Sequence, residues 1–347
     1  MNRRVLMVPP IRWLPYRESV GPDDGPVPQR LDAALHDLGW DVDVFDPGTR
    51  PLNPFGGMNP LLQSFDPLRA LTILTRKRHY DLIVCVFDGG AVPLLLLRRL
   101  ALFRTKIALW DVGLTETWRL RLHVLNYVLP RIDGVMVLTT RQKQYIETKW
   151  PTRAPVQMIG HSVDTVFFRP QPVELADYVL SVGNDVSRDY KTLFEAVVPL
   201  QTRVKIRTSP STVAHLEQPD NIEIIPKPLP FPDLRTLYAQ ARLVVIPLVE
   251  TLNAGGISAV LEAAAMGKPM IVTHTAMLND ILKHGETCLT VPPGDPQALR
   301  DAIGAVLTNT DLAHRLGAAA REFAERTQSQ PVFADRLSQA MTSFAST

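Results

Sequence analysis

The residues with chemical potential concentrate in residues 247–295, PLVETLNAGGISAVLEAAAMGKPMIVTHTAMLNDILKHGETCLTVPPGD. A strand-like run, 243–248, leads into a loop holding Asn253, Ala254, Gly255 and Gly256, and a helix-like run, 257–266, follows. That helix is apolar or small throughout except for Ser258 and one carboxylate, Glu262. A lone carboxylate among Ala, Val, Leu and Met is costly to bury unless something hydrogen-bonds it. Two glycines at the helix mouth leave its first N–H groups open to an anion. Phosphate at the mouth and a diol on Glu262 describe a nucleotide. The same strand, turn and buried helix also describe any crossover unit of a parallel sheet.

A second constellation is VGNDVSRDYK, 182–191. A buried strand ends at Gly183 and Asn184, and a helix begins near Tyr190. Arg188 and Lys191 then stand at a helix N-terminus, where the dipole disfavours cations. An anion such as a diphosphate between them and the helix end gives them a reason: Arg chelates phosphate bidentately and Lys acts as a point charge. The competing reading is a surface pair of Arg188 with Asp185 or Asp189.

These residues need elements to hold them. Short apolar runs at 5–8, 42–45, 82–87, 107–109 and 135–138 read as strands buried on both faces. Helix-like segments at 29–38, 93–102, 118–128 and 141–149 separate them. After a Pro-containing link, 168–172, a second series begins. Its strands are expected at 178–182, 204–206, 222–225, 243–248, 270–273 and 288–291. Its helices are expected at 191–197, 232–240, 257–266, 296–308 and 312–325. An amphipathic segment, 331–344, closes the chain and suits a helix packed back on the first domain. This alternation predicts an α/β protein with two doubly wound, Rossmann-like domains. Ligand is expected in the cleft between them, at the carboxyl ends of the strands.

Composition sets the class. A chain of 347 residues holds two domains with full cores, and 46% hydrophobic with 21% charged residues is ordinary for a globular protein. The net charge of +2 hides an asymmetry: residues 1–170 carry 22 Lys and Arg against 16 Asp and Glu, the remainder 15 against 19. The basic half suits an anionic partner, but scattered bases without interleaved aromatics argue against nucleic acid. Cys85 and Cys288 offer no disulfide framework, which suits a reducing cytoplasm, and the eight histidines show no metal-ligand spacing. Asp23-Asp24 resembles a metal pair only superficially. The first residues hold too short an apolar run for a signal peptide, and no segment approaches the roughly 20 apolar residues of a spanning helix.

Five segments together carry a resemblance: IGHSVDTVFFRP (159–170), SVGNDVSRDYKTLFEAV (181–197), LRTLYAQARLVVIPL (234–248), ISAVLEAAAMGKPMIVT (257–273) and LNDILKHGETCLTVPPGDPQALRDAI (278–303). Their order and spacing resemble those of family 4 glycosyltransferases. The resemblance implies the GT-B fold, with an N-terminal acceptor-binding domain (1–165), a C-terminal nucleotide-sugar-binding domain (172–328) and the closing helix (329–347). It implies a retaining hexosyltransferase that takes a hexose from a UDP-, GDP- or ADP-linked donor, with no bound metal, to a glycan or lipid-linked glycan acceptor in polysaccharide or glycoconjugate biosynthesis. By the same resemblance Arg188 and Lys191 hold the donor diphosphate, and Gly183 and Asn184 stand beside it. Glu262 takes the ribose hydroxyls, and Gly255, Gly256, Ile257 and Ser258 present the backbone that faces sugar and phosphate. Lys227 to Leu229 lie where the base is cradled.

Two departures stand out. The family carries a second Glu eight positions before Glu262, where this chain has Ala254; Asn253 either substitutes for it or only caps the helix or turns the loop. The family also carries a His after the fourth strand, where this chain has Trp110; the neighbouring Asp111 either orients an acceptor hydroxyl or caps the next segment. The Ala254 departure opens a further reading, a non-catalytic binding or scaffold subunit of a glycan-assembly complex; a nucleotide-sugar epimerase of similar fold is a second, less favoured enzyme reading. The loop 9–28, rich in Pro, Gly and Asp, overhangs the expected cleft or forms a solvated flap. Basic stretches around Leu-rich segments, 76–78, 94–104 and 119–131, suit contact with an anionic membrane or simply solvate their arginines. The expected location is the cytoplasm, peripheral at the inner face of the membrane.

Overall fold

The computed structural model describes residues 3–9, 33–45, 67–76, 78–86, 90–102, 104–110, 119–150, 153–200 and 202–346. The chain divides into two compact units, Met1–Gly160 with Phe333–Thr347, and His161–Val332. Each is a parallel sheet with helical connections, and the expected pair of Rossmann-like α/β domains is what forms.

In the first unit, β1 (Arg3–Val8), β2 (Trp40–Val44), β3 (Leu82–Val86), β4 (Lys106–Trp110), β5 (Gly134–Val137) and β6 (Val156–Met158) pair in the order β2-β1-β3-β4-β5-β6. The helices are α1 (Pro67–Thr75), α2 (Ala91–Arg99), α3 (Arg119–Val128) and α4 (Thr140–Lys149). Strand β6 and helix α1 were not expected from sequence. The first is a three-residue edge strand with Met158 half out in solvent. The second, PLRALTILT, is too short for helical and strand periodicity to be told apart.

The closing helix, Gln330–Ser346, joins the first unit from Phe333 onward. Phe333, Leu337, Met341 and Phe344 are buried in one cluster with Val5, Met7 and Trp40, and the Trp40 indole donates to Ser338 Oγ at 3.1 Å. The ring of Phe344 lies where a side chain on Gly134 would begin, so β5 must open on glycine.

In the second unit, β7 (Val179–Val182), β8 (Val204–Arg207), β9 (Ile222–Ile225), β10 (Leu243–Ile246), β11 (Met270–Thr273) and β12 (Leu289–Val291) pair in the order β12-β11-β10-β7-β8-β9. Helices α5 (Tyr190–Val197), α6 (Pro210–Val213), α7 (Phe231–Gln240), α8 (Ile257–Ala265), α9 (Pro296–Thr308) and α10 (Thr310–Thr327) connect and cover them; the closing helix is α11. Strand β10 is wholly buried, as its unbroken Leu-Val-Val-Ile run requires. It ends two residues earlier than its apolar run, because the Leu248 amide turns to Thr273 Oγ1 at 3.0 Å. Helix α10 starts at Thr310 rather than 312, with Asn309 Oδ1 accepting from the Leu312 amide at 2.9 Å. Among the described residues no helix is long and apolar enough to cross a membrane.

Helix α2 ends in a tight turn. The Ala101 amide returns to Arg98 O at 3.0 Å and the Leu102 amide to Leu97 O at 3.2 Å, the paired bonds of a Schellman motif. Ala101 takes the left-handed position with φ 58°, where glycine is the usual residue. Replacing Ala101→Gly relieves that strain and is expected to stabilise the protein by about 1 kcal/mol, read as a rise in the urea midpoint at unchanged slope.

Candidate functional site

The second sheet reverses its strand order between β7 and β10: β8 and β9 follow on one side, β11 and β12 on the other. Loops leaving adjacent strands at such a switch point diverge and open a crevice at the carboxyl ends of the strands. The two loops here are 183–189 and 247–256, the two constellations singled out from sequence. They are stapled together: the Asp189 amide bonds Pro247 O at 3.1 Å, the Val249 amide bonds Ser187 O at 2.8 Å, and Arg188 forms a bridge with Leu248.

Arg188 is the centre of the first loop. Its side chain is 3% exposed, and Nε donates to Asp185 Oδ2 at 2.9 Å. So the pairing with Asp185 forms, between a buried Arg188 side chain and a carboxylate that stays 41% exposed. Nη1 is buried without a hydrogen-bond partner. A buried donor left unmade is costly and calls for an acceptor. The guanidinium occupies the space where a Cβ on residue 183 would stand, which explains Gly183 with its φ of 154°. Burial raises the Asp185 carboxyl, but the charge of Arg188 and hydrogen bonds from Ser187 and Arg188 outweigh it, and the group stays below the usual range. Asn184 Oδ1 accepts from the Ser209 amide at 2.9 Å, tying the loop to the residues after β8.

The second loop ends on helix α8. Its N-cap is Gly256, at φ 78°, and no side chain caps the helix. A Cβ at Gly256 would meet Leu248 at 3.0 Å and Ile246 at 3.1 Å, and one at Gly255 would collide with Ser187 Oγ. Both glycines are therefore required by close packing of the loops, and the helix N-terminus is left open to an anion. Asn253 is not the cap: its backbone bonds the hydroxyl of Thr251. Ala254 rests against the core cluster. Ser258 is exposed, with Oγ 3.5 Å from His161 Nε2, and burial holds His161 below its ordinary pKa.

Glu262 lies one turn beyond Ser258 on the same face of α8. The buried Tyr238 of α7 donates its hydroxyl to Glu262 Oε2 at 2.9 Å. Protein surrounds the carboxyl although an edge of the residue keeps some exposure, and burial pushes its pKa up to about 7 against the opposing effects of Tyr238, Arg188 and Arg207. Arg207 ends β8 directly beside Val182.

Tyr238 and Arg207 had no role in the sequence reading. A tyrosine on the buried face of an amphipathic helix needs a partner for its hydroxyl, which was the available signal. Arg207 becomes relevant only once β8 is known to pair with β7.

The remaining candidates are placed as follows. Lys191 sits in the first turn of α5, but its amine is exposed and bonds Glu195 Oε1 at 2.6 Å, away from any partner on the loop. Glu195 raises its pKa accordingly. Lys227 is exposed after β9, and Leu229 is half-buried against the core. In the first unit Trp110 ends β4 and rests on Phe333 with centroids 5.8 Å apart, while Asp111 and the loop from residue 10 to 28 lie outside the described residues. Among the described residues no three His, Cys, Asp or Glu side chains come together as metal ligands.

A carboxyl whose folded pKa lies above its unfolded value near 4.5 binds its proton more tightly in the folded state. Its contribution therefore falls as pH rises through the window from about 4.5 to about 7, and is flat outside it. Glu262→Gln should remove that slope from a urea-stability profile measured across the window; a profile of unchanged slope would assign it to another group.

Comparison with known proteins bears on the fold and on one segment of the chain. Residues 168–309 match the family described as glycosyl transferases group 1. D-inositol 3-phosphate glycosyltransferase of Corynebacterium urealyticum is 31% identical over a 147-residue alignment that covers 39% of this chain and only 34% of that protein's length. Sucrose-phosphate synthase of Thermosynechococcus elongatus has the same fold, with a TM-score of 0.78 at 18% identity over 97% of this chain and 98% of that one. A Rickettsia africae glycosyltransferase matches at a TM-score of 0.72 and 15% identity over 99% and 98% of the two chains. Anabaena HepE, solved with UDP-glucose, matches at 0.69 and 15% over 98% and 99%. The chain has the GT-B fold of two Rossmann-like domains, and its residues 168–309 are similar to the family described as glycosyl transferases group 1.

Proposed function

We propose that the protein is a retaining hexosyltransferase of family 4 type. It moves a hexose from a nucleoside diphosphate sugar to a hydroxyl of a glycan acceptor, lipid-linked, in polysaccharide or glycoconjugate synthesis. The observation that carries this reading is the buried Arg188, with one guanidinium nitrogen unpartnered, beside the uncapped mouth of α8 and the Glu262–Tyr238 pair. Cation, open N–H groups and an acceptor carboxylate at successive points along one crevice match diphosphate and ribose in turn.

In this reading Arg188 and the N–H groups of Gly256 and Ser258 take the diphosphate and stabilise it as it leaves, while the Ile257 N–H is held by Ala254 O at 3.3 Å. Gly183 and Asn184 line that end. Lys191 joins them on exchanging Glu195 for phosphate. Glu262 accepts from the ribose hydroxyls, held in place by Tyr238, and Lys227 to Leu229 border the base. Asn253 and Ala254 border the sugar. The first unit carries the acceptor, with Asp111 the candidate for orienting its hydroxyl, and works in the cytoplasm against the inner face of the membrane. A retaining transfer needs no protein nucleophile where the departing phosphate itself assists attack on the same face. HepE is bound to UDP-glucose, which makes uridine the first base to try.

Calorimetric titration with UDP, GDP and ADP, without added metal, tests the reading. One of the three is expected to bind, with Arg188→Ala abolishing binding and Glu262→Ala weakening it by about 1–3 kcal/mol. Ribose hydroxyls donate, so they favour the ionised Glu262. Affinity should therefore rise as pH climbs through about 7, and Glu262→Gln should flatten that rise. A folded protein that binds none of the three overturns the donor pocket.

A second reading, a non-catalytic binding or scaffold subunit, is favoured by Ala254, which brings no carboxylate to the sugar end. Nucleotide-sugar binding with neither transfer nor slow donor hydrolysis would select it.

A further inference from the structure

We infer that the turn closing helix α2 is a docking surface for an anionic lipid bilayer. The inference deepens the membrane-associated acceptor proposed above and rests on that reading only for its purpose. Its geometry belongs to the first unit alone.

The outward face of α2 is unusual for a helix on a domain surface. Its inner face buries Ala91, Pro93, Leu94 and Leu95. Outward, where polar residues are the rule, stand Leu96, Arg99 and Leu100, at the i, i+3, i+4 spacing of one face. Leu100 is 68% exposed and Leu102 59%. The Schellman bonds fix the backbone here, so both leucines are presented to solvent by a rigid turn rather than a loose tip. Ala101 holds the left-handed conformation between them at the cost of strain.

The charge around this apolar knuckle is predominantly positive. Arg99 and Arg104 are exposed and pair with no described residue, whereas Arg98 and Lys106 are bound to Asp133. Helices α1 and α3 flank α2. The three helices with the turns that follow them, residues 67–80, 90–105 and 119–133, contain ten Lys or Arg and one acid, Asp133. Leucines projecting from a field of arginines match the two layers of an anionic bilayer: leucines reach the acyl boundary and arginines the lipid phosphates. The same charge argues against a second copy of this chain, since a symmetric contact would press like-charged arginines together. Two exposed leucines and a few arginines give weak, reversible attachment, which suits an enzyme that must leave one lipid-linked acceptor for the next.

Co-sedimentation of the full chain with vesicles tests the inference. The protein should pellet with equimolar phosphatidylcholine and phosphatidylglycerol, and not with phosphatidylcholine alone. Added salt should weaken the association. Leu100→Asp with Leu102→Asp, and separately Arg99→Glu with Arg104→Glu, should each weaken it at least about tenfold. Association with neither vesicle, or equal association of parent and both variants, overturns the inference. So does a parent chain that is dimeric in light scattering and monomeric in the leucine variant, which would assign the face to a second copy. UDP titration of the same samples reads the donor pocket separately: failure there bears on the proposed function and leaves the vesicle result intact.

Discussion

The site depends on one electrostatic constraint, a guanidinium held in the interior with only part of its charge answered. Burying a cation costs several kcal/mol unless its donors are met. Asp185 meets Nε of Arg188 and is kept ionised by it, but Nη1 finds no acceptor. The neighbouring Glu262 does not balance the account, because burial keeps it close to half-protonated at neutral pH. Arg207 adds a second cation at the end of the adjacent strand. The crevice is thus left short of negative charge, as the proposed diphosphate site requires. The proton on Glu262 then becomes coupled to ligand, since hydroxyl donors favour its departure.

That constraint dictates local sequence beyond the charged residues themselves. Gly183 is needed because the guanidinium fills the place of a Cβ, and Gly255 because Ser187 packs against it. Gly256 can cap α8 only by taking a left-handed conformation against Leu248 and Ile246. The strand order then matters: within the second sheet, the loops leave neighbouring strands in diverging directions at the β7–β10 boundary. Tyr238 reaches Glu262 from α7, so the carboxylate is positioned by an element that enters neither loop.

Much of this was legible before the fold was known, for physical reasons. Runs such as Leu243 to Ile246 lack polar alternation because parallel strands are covered on both faces; β8 and β9, toward one edge of the sheet, carry Lys205 and Glu223 between their apolar residues and were readable only as short apolar runs. Glu262 stood out as the only carboxylate on an apolar helix, and Arg188 as a cation at the wrong helix end. What stayed hidden is what depends on pairing across sequence distance. Arg207 owes its place to the β7–β8 pairing, and the depth at which Arg188 lies comes from loops that meet only in three dimensions. Lys191 shows the converse: its position in the first turn of α5 was readable, but its turn toward Glu195, one helical turn on, is a local ion pair that competes with any role at the loop. Short elements were missed because three residues of β6, or nine of α1, are too few to establish a period.

Specificity follows from how unevenly the crevice is furnished. A site that hydrogen-bonds a hydroxyl with a buried polar group rejects analogues lacking it by large factors, whereas an apolar or open lining discriminates weakly. The nucleotide end has such groups in Arg188, Glu262 and Tyr238, each fixed by packing. The opposite end of the loop, 253–258, offers an amide at Asn253, a methyl at Ala254, two glycines and the exposed hydroxyl of Ser258. No carboxylate lies within that segment, and Glu250, the nearest acid before it, is spent accepting from the Ala276 amide. Under the proposed function the second unit therefore recognises the nucleotide strictly and the sugar loosely. Whatever discrimination between sugars the reaction requires must come from groups outside this loop.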